Sequence, residues 1–465
     1  MMDVVSDLDY FLRPKSLAII GASATPGKAG YNFISNLLSS NFPGSIYPVN
    51  PHTERILGLK AYPQIADIPE AVDLAIPIVQ PSLVPDIVRQ CAEKKVKAIM
   101  VSSPGFADAG EEGEQLETEV LNIAREQGIR IMGPNTQGIM NLDAGLVAVS
   151  VVPVGELING KGVSFVCHSG WFYSDWILRC PLIGLSKMVD LGNMGDVDEV
   201  EVLDYLGADP QTRVIVLHIE GIREGQKFMR VASEVTRKKP IIALKVGRSA
   251  AGAEAVASHT GSLAGKDEVH DTSFRQLGIT RAMDMDEVTD FTKTFACLSP
   301  LPTGKRIGMV TFSGTGGVLA ADACDEFGLS LAQLSEASVE KVKDIIPAWA
   351  SVENPIDVGR VVDPEVIGRA YPAVLEAFSE DPNVDAILVM AMTISTQPEL
   401  SAYNVLREYA EKGLKKPTVV TGLRDEEGLK ELSSLELKGI VTFPTVERAV
   451  KALAAAYSRH RFLSR

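Results

Sequence analysis

Short apolar, β-branched runs alternate with longer amphipathic stretches along the whole chain. SLAIIG (16–21), VDLAIPI (72–78), KAIMVSS (97–103), GVSFVCHSG (162–170), TRVIVLHIEG (212–221), KPIIALKVG (239–247), KRIGMVTFSG (305–314) and VDAILVMAM (384–392) are nearly continuous apolar runs. That is the pattern of strands buried on both faces. Most of them end at Gly, Ser or Pro. Between them lie helical patterns such as PDIVRQCAEKK (85–95) and EQLETEVLNIAREQG (114–128). Strand–helix alternation predicts an α/β fold, with parallel sheets covered by helices on both faces. Ligands of such sheets collect at the carboxyl ends of the strands. The residues just after each strand are therefore where chemistry is expected.

The pattern divides into three blocks, in keeping with 465 residues at about 150 per domain. The first covers residues 1–145 and closes at GPNTQGIMNLDAG. The second, 146–300, starts with the strand at Gly162–Cys167. The segment CLSPLPTGKR reads as a linker, and the third block, 301–465, restarts the alternation from Lys305. FVCHSG and VTFSGTGG echo one another, each a strand before a small-residue turn and a helix. That suggests two related flavodoxin-like units.

Composition narrows the partners. The net charge of −15 leaves no surplus of Lys and Arg to neutralise nucleic-acid phosphates. Anionic ligands can still be held by helix N-termini and backbone N–H groups. The five cysteines are scattered without a CxxC pair, against a zinc ribbon or a disulfide framework. No metal site is expected. The opening MMDVVSDLDYFLRPKS is polar and acidic rather than a signal peptide, and no apolar run reaches membrane-spanning length. A reducing cytoplasm is the expected compartment.

The first strand runs into GASATPGKAG, where Gly21, Gly27 and Gly30 punctuate a turn ahead of an amphipathic stretch. A strand, a glycine-rich turn and a helix N-terminus make a pyrophosphate-binding arrangement, and Lys28 can add a positive charge. The same pattern also serves as a tight turn in an ordinary doubly wound fold. The spacing is not GxGxxG. A second strand ends in Asn50 and Pro51, with no acidic residue to hold ribose hydroxyls, which weakens a dinucleotide reading. Ser102 opens a third loop of this kind, SSPGFADAG.

Of six histidines, His52, His218, His270 and His460 read as surface or packed residues. His259 stands in AVASHTGSLAG, a loop of small and hydroxyl residues able to surround a phosphate with N–H groups. Neutral imidazole is a good transient phosphoryl acceptor. A carboxylate can orient it by accepting Nδ1–H, and Glu220 ends the strand VIVLHIEG where such an acid is expected. Glu220 reads equally well as a surface carboxylate at a strand end. His168 also follows a strand, with Ser169 and Gly170 at a helix N-terminus suited to an anion. Trp171 and Phe172 follow it and read as core packing.

Taken in order, these motifs resemble the α subunit of NDP-forming acyl-CoA synthetases (acetate–CoA ligase, ADP-forming), in the succinyl-CoA synthetase superfamily. GASATPGKAG, YPVNP, GPNTQG, HSG, GNMGDVDEVEVLDYL, IEG, SHTGSLAG and NPID carry the resemblance over nearly the whole chain. It implies a Rossmann-like CoA-binding domain followed by two flavodoxin-like domains. It implies synthesis of acyl-CoA from a small carboxylate, CoA and ATP or GTP, through an acyl phosphate and a phosphohistidine. By the resemblance His259 is the phosphorylated residue and Glu220 its orienting acid. Gly21, Ser23, Lys28, Asn50 and Ser102 fall in CoA-binding motifs. His168, Ser169, Gly170 and Asn135 fall at the phosphate and substrate site. The nucleotide, with Mg2+, is expected on an ATP-grasp β subunit in an α2β2 assembly. His168 stands where the family's SQSG-type motif has Gln, and Met194 where Lys is common. Those departures leave open a catalytically altered CoA-binding protein, and the opening glycine turn leaves a NAD(P)-dependent dehydrogenase as the other alternative.

Overall fold

The computed structural model describes residues 4–151, 153, 156–260, 266–346, 351–358, 364–394 and 401–465, with backbone only at 4–6, 257–260 and 364–367. These residues form two compact units, Met1–Val288 and Thr289–Arg465.

The first unit holds two sheets. Strands β1 (Ser16–Ile20) and β2 (Ser45–Val49) come first, followed by a small antiparallel ribbon, β3 (Arg55–Ile56) with β4 (Leu59–Lys60). Strands β5 (Leu74–Pro77), β6 (Ala98–Met100) and β7 (Arg130–Met132) complete a parallel five-stranded sheet in the order β2-β1-β5-β6-β7. The chain reverses its direction of travel at β1, so a crevice opens above β1 and β5. The second sheet takes β8 (Gly138–Asn141), β9 (Leu146–Val149), β10 (Val163–Cys167), β11 (Lys187–Asp190), β12 (Val214–Ile219), β13 (Ile241–Lys245) and β14 (Thr280–Ala282). Its order is β14-β13-β12-β10-β11-β8-β9, parallel except for the hairpin β8–β9 at one edge. Here the reversal falls at β10, between β11 and β12. The first block as read from the sequence ends at about 145, inside this hairpin, whose two strands belong to the second sheet.

Each buried apolar run of the sequence is a strand in the structure, because nothing on it needs water. β1, β10 and β13 are buried at every position. One apolar core, running from Leu8 and Phe11 to Leu277 and Ile279, is shared by both sheets of this unit. A second covers the other face of the first sheet. The second unit is a six-stranded parallel sheet of β15 (Arg306–Thr311), β16 (Ser330–Leu331), β17 (Ile356–Asp357), β18 (Ala386–Thr393), β19 (Thr418–Arg424) and β20 (Ile440–Thr442), around its own core. Its NPID motif is a fastener. The Asn354 amide bonds Met309 N–H at 2.8 Å and the carbonyls of Ile307 and Ala332 at 2.7 and 2.9 Å. The two strand–turn–helix echoes are both present, with helices Gly170–Arg179 and Gly314–Glu326. Among the described residues no helix is long and apolar enough to cross a membrane.

One charged residue lies inside the second sheet. The Lys187 side chain is fully buried on β11, with Nζ 2.7 Å from Asp209 and 3.0 Å from Asp143. Burial works against the ionised Asp209, but Lys187 and the Thr212 hydroxyl, 2.6 Å away, outweigh it and hold the carboxyl below its ordinary range. Asp143 belongs to the turn of the β8–β9 hairpin, so this cluster pins the hairpin to the sheet. Replacing Lys187 with Ala takes from the buried Asp209 its nearest cation, with Arg13 still 3.5 Å away, which costs about 3–5 kcal/mol. Urea unfolding of Lys187→Ala is expected to show a loss of that size. A loss below about 1 kcal/mol would mean that the pair contributes no net attraction.

Candidate functional site

The glycine turn after β1 is built by close approach. Gly21 has φ of +87°, and a Cβ there would lie 2.3 Å from the Ile78 carbonyl oxygen. A Cβ on Gly30, in the first turn of helix Ala29–Ser39, would lie 2.4 Å from the Gly21 oxygen. Only hydrogen fits at either position. Gly21 and Ala22 N–H donate to the Val49 carbonyl, which ties the turn to the end of β2. Ser23 Oγ accepts Thr25 N–H at 3.1 Å, and Lys28 is exposed just before the helix. Asn50 donates to the Ala22 carbonyl at 2.8 Å and accepts His52 N–H at 2.7 Å. Ser102, after β6, donates to the Thr136 carbonyl at 2.9 Å. Asn50 and Ser102 thus shape the crevice with bonds to the chain's own backbone, while the turn presents Ser23 and Lys28.

The loop 133–138 then joins this crevice to the second sheet. Asn135 has φ of +60°. Its N–H donates to the Ser103 carbonyl at 3.1 Å, and its side-chain amide reaches Asn193 Oδ1 at 3.4 Å. Asn193 in turn donates to Asp108 at 3.2 Å and Glu117 at 3.0 Å. A Cβ on Gly192 would lie 2.1 Å from the Pro134 oxygen, so the two loops touch backbone to backbone. Asp190, fully buried at the end of β11, accepts Gln137 N–H at 2.8 Å and Gly192 N–H at 3.3 Å. Burial, with a contribution from Glu220, pushes its carboxyl up to about 7. Arg223 completes the clasp, donating to the carbonyls of Met194 at 2.7 Å and Asn193 at 3.0 Å.

At the reversal point of the second sheet, His168 and Glu220 face one another. His168 follows β10, and Glu220 follows β12. His168 Nδ1 lies 4.0 Å from Glu220 Oε2, with side chains 1% and 7% exposed. His168 Nε2 and His218 Nδ1 are buried without a hydrogen-bond partner. Leaving such atoms unpaired costs about 1–3 kcal/mol each. The two rings meet edge to face at 6.0 Å, and Phe172 lies 5.1 Å from His218. Burial, then His218 and Arg223, lowers His168 to about 3, so its ring is neutral. Burial, then Lys245, lowers His218 to about 4. Ser169 caps helix Gly170–Arg179 without using its side chain, and Gln137 Oε1 lies where a Gly170 Cβ would be. The first N–H groups of a helix lack intrahelical acceptors, and here Phe172 N–H turns back to the Ser169 carbonyl at 3.2 Å. Phe172 is buried, as the sequence suggests, but Trp171 is 63% exposed.

His259 occupies the last turn of helix Ala250–Thr260. A helix therefore stands where the sequence suggested a loop at His259, and its side chain and residues 261–265 lie outside the described residues. The structure therefore brings His168, followed by Ser169 and Gly170, to Glu220, places Asn135 against the Asn193 loop, and sets Gly21, Ser23, Lys28, Asn50 and Ser102 at the strand ends of the first sheet. Sequence reasoning missed His218, Asp190, Arg223 and Gln137. Period-two alternation puts His218 on the face of Glu220, and Asp190 is an acid closing an apolar run, so both carried a signal. Nothing local marks Arg223. Among the described residues no cluster of His, Cys, Asp or Glu could hold a metal ion.

Three domain families match the chain in order: the CoA binding domain over residues 15–141, the succinyl-CoA ligase like flavodoxin domain over 160–295, and the ligase-CoA domain over 307–465. The α subunit of acetate–CoA ligase [ADP-forming] II from Pyrococcus furiosus is 38% identical over 457 residues, 97% of each chain. Acetate–CoA ligase [ADP-forming] II of Archaeoglobus fulgidus is 39% identical over 99% of this chain, which spans 68% of that longer protein. The dinucleotide forming acetyl-coenzyme A synthetase 1 of Ca. Korarchaeum cryptofilum, solved with phosphate and ADP, has a TM-score of 0.88 at 34% identity. The match covers 98% of this chain and 97% of that one.

The buried ring of His168 has a measurable signature. An unfolded histidine takes up its proton near pH 6.5, roughly, while the folded ring resists to about 3. Between those values the unfolded state binds more protons, so His168 subtracts stability as pH falls. His168→Gln removes that loss. Relative to wild type the variant is expected to gain about 2 kcal/mol of unfolding free energy between pH 7 and pH 5. A pH-independent difference would contradict a neutral, buried imidazole.

Proposed function

The chain belongs to the ADP-forming acetate–CoA ligase family, and on that premise we propose that it makes and cleaves acyl-CoA by passing a phosphoryl group through His259. The observation that carries this reading is that Glu220 and the first turn of helix Gly170–Arg179 follow neighbouring parallel strands, with His168 Nδ1 4.0 Å from Glu220 Oε2. One group there can orient an imidazole, and the other can hold an anion.

The glycine turn fits CoA. Its cradle is closed to any Cβ at Gly21 and Gly30, which lets a pyrophosphate approach the backbone, and Lys28 is exposed beside it. Bound there, CoA supplies the thiol that takes or gives up the acyl group. Ser169, Gly170 and the neighbouring N–H groups hold the phosphate of the acyl phosphate. Glu220 accepts Nδ1–H of His259, so that Nε2 attacks phosphorus. The P–O bond to the acyl carboxylate breaks as the P–N bond forms, and the carboxylate leaves. Transfer onward to ADP frees the histidine. Each step needs aimed N–H groups to neutralise charge more than it needs new covalent chemistry. Asn135 holds its loop against Asn193 and so sets the floor of the crevice.

The family occurs as an α subunit of this length and as a longer single chain, and we read the difference as the nucleotide module. In this reading an ATP-grasp β subunit carries ATP or ADP with Mg2+, in an α2β2 assembly in the cytoplasm. The three blocks divided near 145 and 300 then act as CoA, phosphohistidine and ligase modules. The acid is a small carboxylate, acetate by the names of the relatives.

Incubating the full chain with acetyl-CoA and radioactive phosphate is expected to leave an acid-labile label, which His259→Ala abolishes while CoA binding stays intact. Undiminished labelling of that variant would sink the assignment. Lys28→Ala is expected to weaken CoA binding by about tenfold in titration calorimetry, the scale of one lost charge-assisted contact. Unchanged affinity would remove Lys28 from the phosphate site.

A further inference from the structure

The segment 191–198 leaves β11 and ends at helix Glu199–Ala208. We propose that it is a proton-linked latch: lifting it from the 131–138 loop releases to water a proton from each of the buried carboxyls at its two ends, Asp190 and Glu199. The latch joins the two sheets of the first unit and does not depend on the phosphohistidine reading.

Three observations carry it. The first is how the segment is fastened. The N–H groups of Asn193, Gly195 and Val197 donate to the carbonyls of Pro134, Gly133 and Ile131 at 2.9, 2.9 and 3.1 Å. Arg223 adds its two bonds to the carbonyls of Met194 and Asn193. Met194 is held at φ of +55°, a left-handed conformation that favours glycine, so the closed path carries strain.

The second is the pair of acids. Asp190 is 1% exposed and Glu199 3%. Asp190 faces Cys167 of β10, Tyr173 of helix Gly170–Arg179 and Glu220 after β12, none of them a cation. Glu199 faces Asp198 beside it, Arg223, and Lys227 of helix Gly225–Lys238. Its Oε2 is buried without a hydrogen-bond partner. Burial above all pushes both carboxyls up to about 7.

The third is what lifting changes. The two loops that give Asp190 its N–H bonds also cover it, and Glu199 begins the helix that the segment leads into. Parting the loops lets water reach both acids, which then titrate near about 4. Arg223, freed from the two carbonyls, becomes a partner for ionised Glu199. Between about pH 4 and 7 the lifted form therefore binds fewer protons than the closed one. Closing is favoured in acid. Lifting becomes easier by up to about tenfold per pH unit for each acid, and the dependence levels off above about 7.

Hydrogen–deuterium exchange of the full chain from pH 5 to 8.5, read by mass spectrometry and corrected for the intrinsic pH dependence of amides, tests this. Peptides over 131–138 and 191–198 are expected to lose at least about tenfold of their protection between pH 5 and 7, and to change little above that. Glu199→Gln keeps the neutral shape and removes one titrating group, so the loss is expected to shrink by at least about threefold. Combining it with Asp190→Asn is expected to abolish the loss. If the double variant does not fold by circular dichroism, the wild-type profile and the single variant decide. Wild-type protection that does not change between pH 5 and 7 would overturn the proposal, as would an equal loss in Glu199→Gln. The measurement reads no phosphohistidine, so failure of the latch and failure of the relay are distinguishable.

Discussion

Asp190 is the carboxylate on which the geometry of the site depends, because two loops that must lie in contact both give it an N–H. Gln137 N–H comes from the loop leaving the first sheet, and Gly192 N–H from the loop leaving β11. With Gly192 pressed on Pro134, the loops can approach only as glycine permits. From that contact follow the placing of Asn135, the Asn193 bridge to Asp108 and Glu117, and the Arg223 clasp. Removing Asp190 from water is unfavourable for its ionised form, and it is nevertheless kept at the strand end. A group retained at such cost beside Glu220 belongs to the electrostatics of the site as much as to its architecture.

The same logic of enclosed polar groups runs through the first unit. Lys187 binds two acids inside the second sheet. His168 and His218 each bury an unpaired nitrogen at its carboxyl edge. The first arrangement is fully partnered and pins a hairpin. The second is incompletely partnered and lies where chemistry is expected. Unpaired groups inside a protein concentrate where function overrides packing.

Much of the fold was legible because buried parallel strands are apolar without alternation, and eight such runs became strands. The hairpin β8–β9 was not. Its pairing with β11 joins residues nearly fifty positions apart, and no local pattern records a partner at that distance. The site was legible at the positions that follow strands, such as Gly21, His168 and Glu220. Asn50 and Ser102 were readable as polar loop residues, but not the carbonyls they bind, since a side chain's partner is a property of the folded backbone. Arg223 was invisible for the same reason. His259 stood out through its small-residue neighbours, and its side chain lies outside the described residues.

The apolar core shared by the first two sheets bears on where a gene for such a protein can be divided. A reading frame split near codon 145 would sever a β-hairpin and send half of one core into each product. Neither fragment could then hide its oily face. The two compact units divide at Val288–Thr289, Asp290 and Lys293 of helix Met285–Cys297 already bond Arg448 and Glu436 of the second unit, and that unit has a core of its own. Recombination, fusion and fission should therefore find their natural seam there, one domain border later than the first change of sheet would suggest.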